Sequence, residues 1–381
     1  MSIGSILNMA RSGMNAQQLA IQVTSQNISN ADTQGYSKQR VELATTLPTV
    51  FPYGSVGTGV DVKTITRARD AMLDASYRSN TAAKSQSQTT ATALTQIQSI
   101  FGEPSDNGLG ASLDAFWSSW DNLANDPTNS AAKSAVLEAG TGLATTLNGI
   151  AKQIDQIDQN NRESMNADVN QANSVAQQIA SYNKQIVAAE AGGQPANDLR
   201  DARDNLLDQF SDLVGGQVVQ RANGSVGVYV AGRLVVDAAT AKPLQMNDGQ
   251  PPYVSFAGST EALAGISGQL GGAIDLSTKQ IPSVMTKLDA LAKGVVQSVN
   301  AIHSTGTTFT GNPPVAGAAT NFFQVTNPPP AGVDPYLTAR GMTVALTNAS
   351  QVAASGAGAT GPGDNATANE LVGTATGESV D

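Results

Sequence analysis

The stretch Leu143-Ala-Thr-Thr-Leu-Asn-Gly-Ile-Ala-Lys-Gln-Ile-Asp-Gln-Ile157 places large apolar residues at 143, 147, 150, 154 and 157. Spacings that alternate between four and three keep one stripe on one face of a helix, with polar residues over the rest. The pattern starts near Ser130 and weakens in the polar run Asn161 to Asn166. It resumes with Ala172, Val175, Ile179, Tyr182 and Ile186, and Gly192-Gly-Gln-Pro195 breaks it. A helix running from about 130 to about 191 dictates an elongated, mainly helical architecture.

Neighbouring segments extend this reading. Downstream, a further helix covers Asp198 to Val214. A β-rich island follows, in which Val226, Val228 and Val230 alternate with Gly227 and Tyr229 between the turn signals Asn223-Gly224 and Ala231-Gly-Arg233. Helix returns from about Thr278 to His303, with Ile281, Leu288, Leu291, Val295, Val299 and Ile302 in step. Upstream, a helix starting near Ser112 as N-cap carries Leu113, Phe116, Trp117, Trp120 and Leu123 on one face, and Asn125-Asp-Pro127 ends it. Another runs from Arg67 to about Ile100. Residues 36–66 read as extended, with Val41, Leu43, Thr45 and Val60, Val62, Thr64 alternating. The first 28 residues form a heptad-like helix through Ile3, Leu7, Ala10, Met14, Gln17, Ile21, Thr24 and Ile28, with Ile6, Leu19, Ala20 and Val23 widening the stripe. Two readings of that stripe stand open: an ordinary amphipathic helix lying on a core, or a helix that packs on other helices of an assembly.

The expected fold class is mainly α (α+β), a rod-like bundle of long helices with an inserted small β domain. The expected division is an N-terminal helix at 1–35, a helical rod at 36–215 with its extended part at 36–66, and a β domain at 216–276. A return helix and loop at 277–348 complete the rod, and 349–381 form a low-complexity disordered tail.

Composition narrows the chemistry. Of 381 residues, 40% are hydrophobic but only 4% aromatic, so the core is built from aliphatic side chains. With 21 basic and 31 acidic residues the net charge is −10, which repels phosphate backbones and argues against nucleic-acid binding. Cysteine is absent, excluding disulfides, thiolate metal sites and cysteine nucleophiles, and one histidine excludes multi-histidine zinc sites. There is no apolar run long enough to span a membrane and no cleavable signal pattern.

The remaining candidates favour structure over chemistry. His303, at a helix C-terminus near the negative dipole end, has no Gly-x-Ser-x-Gly elbow to serve. Asp198, Asp201, Asp204, Asp208 and Asp212 recur at helical spacing, but Arg200 and Arg203 interleave and the ligand order of a calcium loop is missing. They read as a solvated helix face. The glycines of Gly57-Thr-Gly59 and Gly268-Gln-Leu-Gly-Gly-Ala273 lack a phosphate-loop pattern and read as turns. Phe116, Trp117 and Trp120 read as packing anchors rather than a stacking surface. No catalytic residue, cofactor or metal is expected.

One segment is more specific: Ser25-Gln-Asn-Ile-Ser-Asn-Ala-Asp-Thr-Gln-Gly-Tyr-Ser-Lys-Gln-Arg40. Through Asn27, Ile28, Asn30, Ala31, Thr33, Gly35 and Tyr36 it closely resembles the signature of bacterial flagellar axial proteins, which include rod, hook and hook-associated proteins. Leu113-Asp-Ala-Phe-Trp-Ser-Ser-Trp-Asp-Asn-Leu-Ala-Asn-Asp-Pro127, Asn197-Asp-Leu-Arg-Asp-Ala-Arg-Asp-Asn-Leu-Leu207, Gly271-Gly-Ala-Ile-Asp275 and Val299-Asn-Ala-Ile-His303 resemble the hook-associated protein 1 family of hook–filament junction proteins. The resemblance spans about residues 1–305.

The resemblance implies a non-enzymatic structural subunit, exported unfolded through the flagellar type III apparatus with an export chaperone. It would assemble outside the cell as a ring or tubular homo-oligomer between hook protein and hook-associated protein 3. The stripe Ile3, Leu7, Met14, Ile21 and Ile28 would be its assembly face. It also implies a C-terminal helix that pairs with the N-terminal one. Gly361-Pro-Gly-Asp-Asn365 resembles the stretch that precedes more helix, whereas no amphipathic run follows before Asp381, so this sequence reads as a fragment, a truncated frame or a short form. The alternatives are another axial protein, such as hook-associated protein 3 or hook protein, and a secreted coiled-coil adhesin. An extracellular enzyme acting through the β island is the rival from another class.

Overall fold

The computed structural model describes residues 3–52, 54–311, 313–326 and 337–376. The fold is mainly α, with small antiparallel sheets. Its elements are α1 (Ile3–Ser29), β1 (Gln39–Thr45), β2 (Thr49–Phe51), β3 (Gly54–Val56), β4 (Val60–Arg67), α2 (Ala71–Phe101), α3 (Leu109–Asn125) and α4 (Ser130–Ala189). After these come α5 (Asn197–Val214), β5 (Gln217–Gln220), β6 (Val226–Val230), β7 (Arg233–Asp237), β8 (Thr240–Ala241), β9 (Leu244–Asn247), β10 (Tyr253–Phe256) and α6 (Gly268–Asp275). A π-helical turn over Leu276–Gln280 leads into α7 (Ile281–His303), β11 (Thr307–Thr310), β12 (Val315–Ala318), β13 (Phe323–Val325), α8 (Leu337–Gly341), β14 (Met342–Val344) and α9 (Ala366–Thr376).

The chain divides into two compact units, 1–89 with 163–274 and 90–162 with 275–381. This differs from the sequence expectation of a rod at 36–215 carrying a separate β domain at 216–276. The 60-residue helix α4 contributes to both units. Its stripe therefore serves two cores, and the polar run at 161–166 marks where the chain passes from one unit to the other.

In the first unit, Met165, Val169, Ala172, Val175 and Ile179 of α4 share a core with Leu207, Phe210 and Val214 of α5. Val226, Val228, Val230, Val235 and Val236, from the sheet ordered β5-β6-β7-β8, belong to the same core. The β island is thus part of this unit because its valines have no other core to enter. Gly271 and Gly272 lie within α6 rather than in a turn. A Cβ on Gly272 would come within 2.5 Å of the Gln86 carbonyl oxygen of α2, so the pair permits close helix packing.

The second unit buries Leu143, Leu147, Ile150 and Ile154 of α4 with Phe116, Trp120 and Leu123 of α3 and Met285, Leu288, Ala292 and Val299 of α7. Helix α3 starts three residues before the expected N-cap, with Gly108 in the cap position. Ser112 instead bonds back to the Gly108 carbonyl at 3.2 Å. Phe116 lies against Trp117 (5.0 Å between centroids), Phe322 (5.8 Å) and Phe323 (5.5 Å). Trp120 contacts Phe322 at 5.6 Å and His303 at 6.0 Å.

His303 is fully buried. Its Nε2 accepts the Ala353 N–H at 3.0 Å, and its Nδ1 lies 2.6 Å from the Thr320 carbonyl oxygen, which requires a protonated Nδ1. Burial lowers its pKa, so the ring is neutral and the helix-dipole reading, which needs a charged ring, is replaced.

The expected disordered tail is also corrected up to residue 376; residues 377–381 lie outside the described residues. Val352, Ala353 and Ala354 are buried, Thr307 bridges to Ser355, and Ala368 and Leu371 of α9 enter the second core. The alanine and glycine content that suggested disorder instead allows close backbone approach. A Cβ on Gly306 would meet Ala353 Cβ at 2.9 Å and Thr367 Oγ1 at 2.8 Å.

Candidate assembly site

Helix α1 has two apolar lines. The inner one, of smaller residues, includes Ala16 (2% exposed) and Val23 (5%), with Leu19 and Ala20 half-buried, and α1 packs against β1 and β4. The outer line is Ile3, Leu7, Met14, Ile21 and Ile28, each between 63% and 79% exposed. Leu19, Ala20 and Val23 therefore do not widen that stripe. Two residues of separation, as from Ile21 to Val23, turn a helix by about 200° and put the side chain on the other side. Arg11 is the only charged residue of α1.

The loop after α1 holds the helix on its support. Asn27 Oδ1 accepts from the Tyr36 hydroxyl and from the Gln39 N–H, both at 2.8 Å, while its Nδ2 donates to the Gln39 carbonyl at 2.8 Å. One side chain thereby joins the end of α1 to the start of β1. Asn30 Nδ2 donates to the Gln26 carbonyl (3.0 Å), and Thr33 Oγ1 donates to Asn30 Oδ1 (3.3 Å). Ala31 and Asp32 fill the turn between them. Gly35 has φ +81°, and a Cβ there would fall 1.9 Å from Asn205 Oδ1 of α5. Ile28 belongs to the motif and to the exposed stripe at once. Further along α1, Ser12 Oγ accepts from the Val60 N–H at 3.4 Å.

The loop and hairpin are tied to α5 through ionic and amide contacts. Asp201 Oδ2 accepts the Ser37 N–H at 3.0 Å, and Asp198 Oδ1 accepts from Gln39 Nε2 at 3.3 Å. Asn197 Nδ2 donates to the Ile65 carbonyl of β4 at 2.8 Å. Arg67 Nη1 bridges Asp201 (2.6 Å) and Asp204 (2.8 Å), and Arg78 Nε pairs with Asp208 at 2.7 Å. Asp201, Asp204 and Arg78 are buried. Asp201, Asp204 and Asp208 are thus an internal clamp, not a solvated face, because arginines from β4 and α2 meet them, whereas Asp198 stays exposed and Asp212 accepts from Ser85 and Gln269. Burial pushes the Asp208 carboxyl up, partly offset by Arg78. Arg203, on the α4-facing side of α5, donates to Asn183 Oδ1 and the Gly224 carbonyl, and burial brings its pKa down to about 10.

The residues named as packing anchors lie elsewhere. Phe116 and Trp120 are fully buried in the second core, with Trp117 at its margin. Residues that sequence reasoning missed include Asn300, whose Oδ1 accepts both the Phe322 and Phe323 N–H at 2.9 Å and whose Nδ2 donates to the Phe323 carbonyl at 2.8 Å. Its place beside His303 in a family-like segment was the available signal. Among the described residues, no group of three or more His, Asp or Glu side chains is placed to hold a metal, and no helix is long and apolar enough to cross a membrane.

Comparison with known proteins now bears on this geometry. Residues 7–36, which are α1 and its anchoring loop, match the family described as flagella basal body rod protein, the class of axial flagellar components. Residues 94–323 match the flagellar hook-associated protein FlgK helical domain. The match covers more than half of the chain, which therefore belongs to the FlgK hook-associated protein family. Flagellar hook-associated protein 1 of Bacillus subtilis is 35% identical over 240 residues, covering 59% of this chain and 47% of the relative. That of Salmonella typhimurium is 28% identical over 340 residues, covering 86% and 60%. The chain thus spans about half to three fifths of the length of these relatives. The solved structure of the flagellar hook junction protein FlgK from Burkholderia pseudomallei shares the fold with a TM-score of 0.62 at 18% identity, over 75% of this chain and 66% of that one.

Proposed function

We propose that this chain is a non-enzymatic structural subunit of the extracellular junction between flagellar hook and filament, and that Ile3, Leu7, Met14, Ile21 and Ile28 are its assembly face. The observation that carries this reading is the double character of α1. Its small inner line and polar loop hold it in place, while its large aliphatic side chains are left in water. Burying each of those side chains would contribute roughly 1.5–3 kcal/mol, so a contact along the stripe is strongly favoured once partners meet. The partners in this reading are further copies of the chain, in a ring or tube, with hook protein on one side and hook-associated protein 3 on the other. Export runs through the flagellar type III apparatus with its chaperone. Cysteine is absent from the sequence, so no cross-link hinders passage of an unfolded chain.

The test is Ile21→Asp. Ile21 is 69% exposed, so the purified variant should keep its helical signal and melting temperature. In an assembly it would bury a carboxylate with no partner. The expected result is a folded subunit missing from hook–filament complexes sheared from cells. Normal incorporation of the variant overturns the assembly face.

A further inference from the structure

The sequence contains three Asn-Gly pairs, at 107–108, 148–149 and 223–224. In such a pair the main-chain nitrogen of the glycine can attack the side-chain carbonyl carbon of the asparagine, because no Cβ on the second residue hinders its approach. The fold treats the three pairs differently. Asn148 and Gly149 lie inside α4, where helical hydrogen bonding holds the glycine nitrogen, and Asn148 Nδ2 donates to the Met342 carbonyl at 2.9 Å. Asn107 is exposed, but Gly108 is buried in the cap position of α3. Asn223 is exposed in the turn between β5 and β6, where Gly224 has φ +82°. Its Oδ1 accepts twice from Ser225, from the hydroxyl at 2.7 Å and from the N–H at 3.2 Å. Two donors on that oxygen draw electrons from Cγ and match the negative charge the oxygen gains under attack. The Gly224 N–H is bonded within the turn, to the Arg221 carbonyl at 3.1 Å, so freeing it takes the opening of a turn and not of a helix.

We propose that Asn223 is a site of self-modification, converted in the folded chain to aspartate and isoaspartate, and that the isoaspartyl form loosens the first unit. The Gly224 nitrogen attacks Asn223 Cγ and gives up its proton. The bond from Cγ to Nδ2 breaks, Nδ2 leaves as ammonia, and a cyclic imide closes. Water then opens the imide at one of its two carbonyls, and no oxidant or reductant enters. Opening at Cγ leaves an ordinary aspartate. Opening at the main-chain carbonyl routes the backbone through Cβ and Cγ, which lengthens its path by one carbon and leaves a carboxylate on Cα. The turn has no slack for that carbon. Arg203, 2% exposed, donates through Nη1 to the Gly224 carbonyl at 2.7 Å and to Asn183 Oδ1 at 3.2 Å. Asn183 Oδ1 also accepts the Val226 N–H at 3.0 Å, and its Nδ2 donates to the Val226 carbonyl at 2.8 Å. Gly224 itself sits so close to Ile186 and Glu190 that an added Cβ would press on both. A longer turn cannot keep Gly224 and Val226 on these partners together, and the buried guanidinium loses its carbonyl.

The test ages the full-length chain in mildly alkaline buffer, once folded and once in urea, and follows tryptic peptides by mass spectrometry. Residues 222–233 form one such peptide, with Asn223 as its only side-chain amide, and residues 134–152 form another, with Asn148 as its only one. In the folded chain the first peptide is expected to show the mass gain of an amide turned into an acid, in both aspartyl and isoaspartyl forms told apart by electron-transfer fragmentation, while the second stays unchanged. In urea both convert. A folded chain whose Asn223 keeps its amide as long as Asn148 does overturns the site. Equal conversion of both peptides in the folded chain overturns the selection by the fold. Ser225→Ala is expected to slow the reaction severalfold in the folded chain and not in urea; an unchanged or faster folded reaction removes the part given to the Ser225 donors. The isoaspartyl form, separated by ion exchange and chromatography, is expected to show a lower urea midpoint and faster hydrogen exchange at the Val226 N–H than the fresh chain, with the aspartyl form close to the fresh chain. Identical midpoints and exchange for the isoaspartyl form overturn the loosening.

Discussion

At Gly35 two demands coincide, a positive φ of +81° and a neighbour, Asn205, lying where a Cβ would stand. The Asn205 amide can swing aside, but the backbone strain of a non-glycine residue remains, so Gly35→Ala is expected to cost about 1–3 kcal/mol. Hydrogen exchange should show it as faster exchange at Ser37 and Gln39, whose amides are bonded to Asp201 and Asn27. His303 makes a prediction of opposite character, in pH. Its folded pKa is depressed by burial, so below the ordinary value of 6.5 the unfolded chain takes up a proton that the folded chain refuses. The stability tied to the neutral ring is complete above pH 6.5 and declines as the pH falls toward the folded value. Urea midpoints measured between pH 7.5 and 5 should show this slope in the wild-type chain and lose it in His303→Asn, which is less stable throughout. The sequence revealed that His303 ends a helix, but not its partners. Thr320 and Ala353 come from segments with no periodic pattern, so nothing local announced them.

Among the elements, helices were the most legible because their apolar spacing repeats many times: α1, α4 and α5 end within about two residues of their expected limits. What the spacing could not give was which side of a helix is covered. In α5, aspartates at helical intervals look alike whether they face water or arginines from β4 and α2. The structure settles this at Arg67, which bridges Asp201 and Asp204. Arg67→Met is expected to destabilise the first unit by roughly 3–5 kcal/mol, since it leaves two buried carboxylates without their main countercharge. Chemical denaturation should show the loss, and replacing Asp201 by Asn in the same chain should restore part of it, because one of the stranded charges is then gone. The low-complexity segment after residue 349 was misread for a related reason. Alanine and glycine give no periodic signal, although their small size lets that segment enter a core dominated by Phe322, Trp120 and His303.

For the molecule as a whole, each unit has its own core, and both tryptophans belong to the second. Phe322→Ala removes the ring that touches Phe116, Trp120, His303 and Phe323, at a cost of about 3–5 kcal/mol. In this variant tryptophan fluorescence should report unfolding at lower urea than the far-ultraviolet helical signal, which also counts the first unit. Coincident curves would show that the units unfold as one. The family resemblance was legible early because its segments are the places where distant parts of the chain are bonded together. The motif at 27–36 lies on α5, and the segment ending in His303 holds the loops around Phe322. The three bonds from Asn27 have a last consequence, for how such chains can change in length. They make the path from Asn27 to Gln39 a spacer of fixed count. One residue added or removed between Asn30 and Tyr36 would disengage Gln39 from Asn27 and shift Gly35 off Asn205 in a single stroke. Insertions and deletions should therefore collect at the far end of the hairpin, around Pro48 to Gly57, where Leu47 and Val50 already face water.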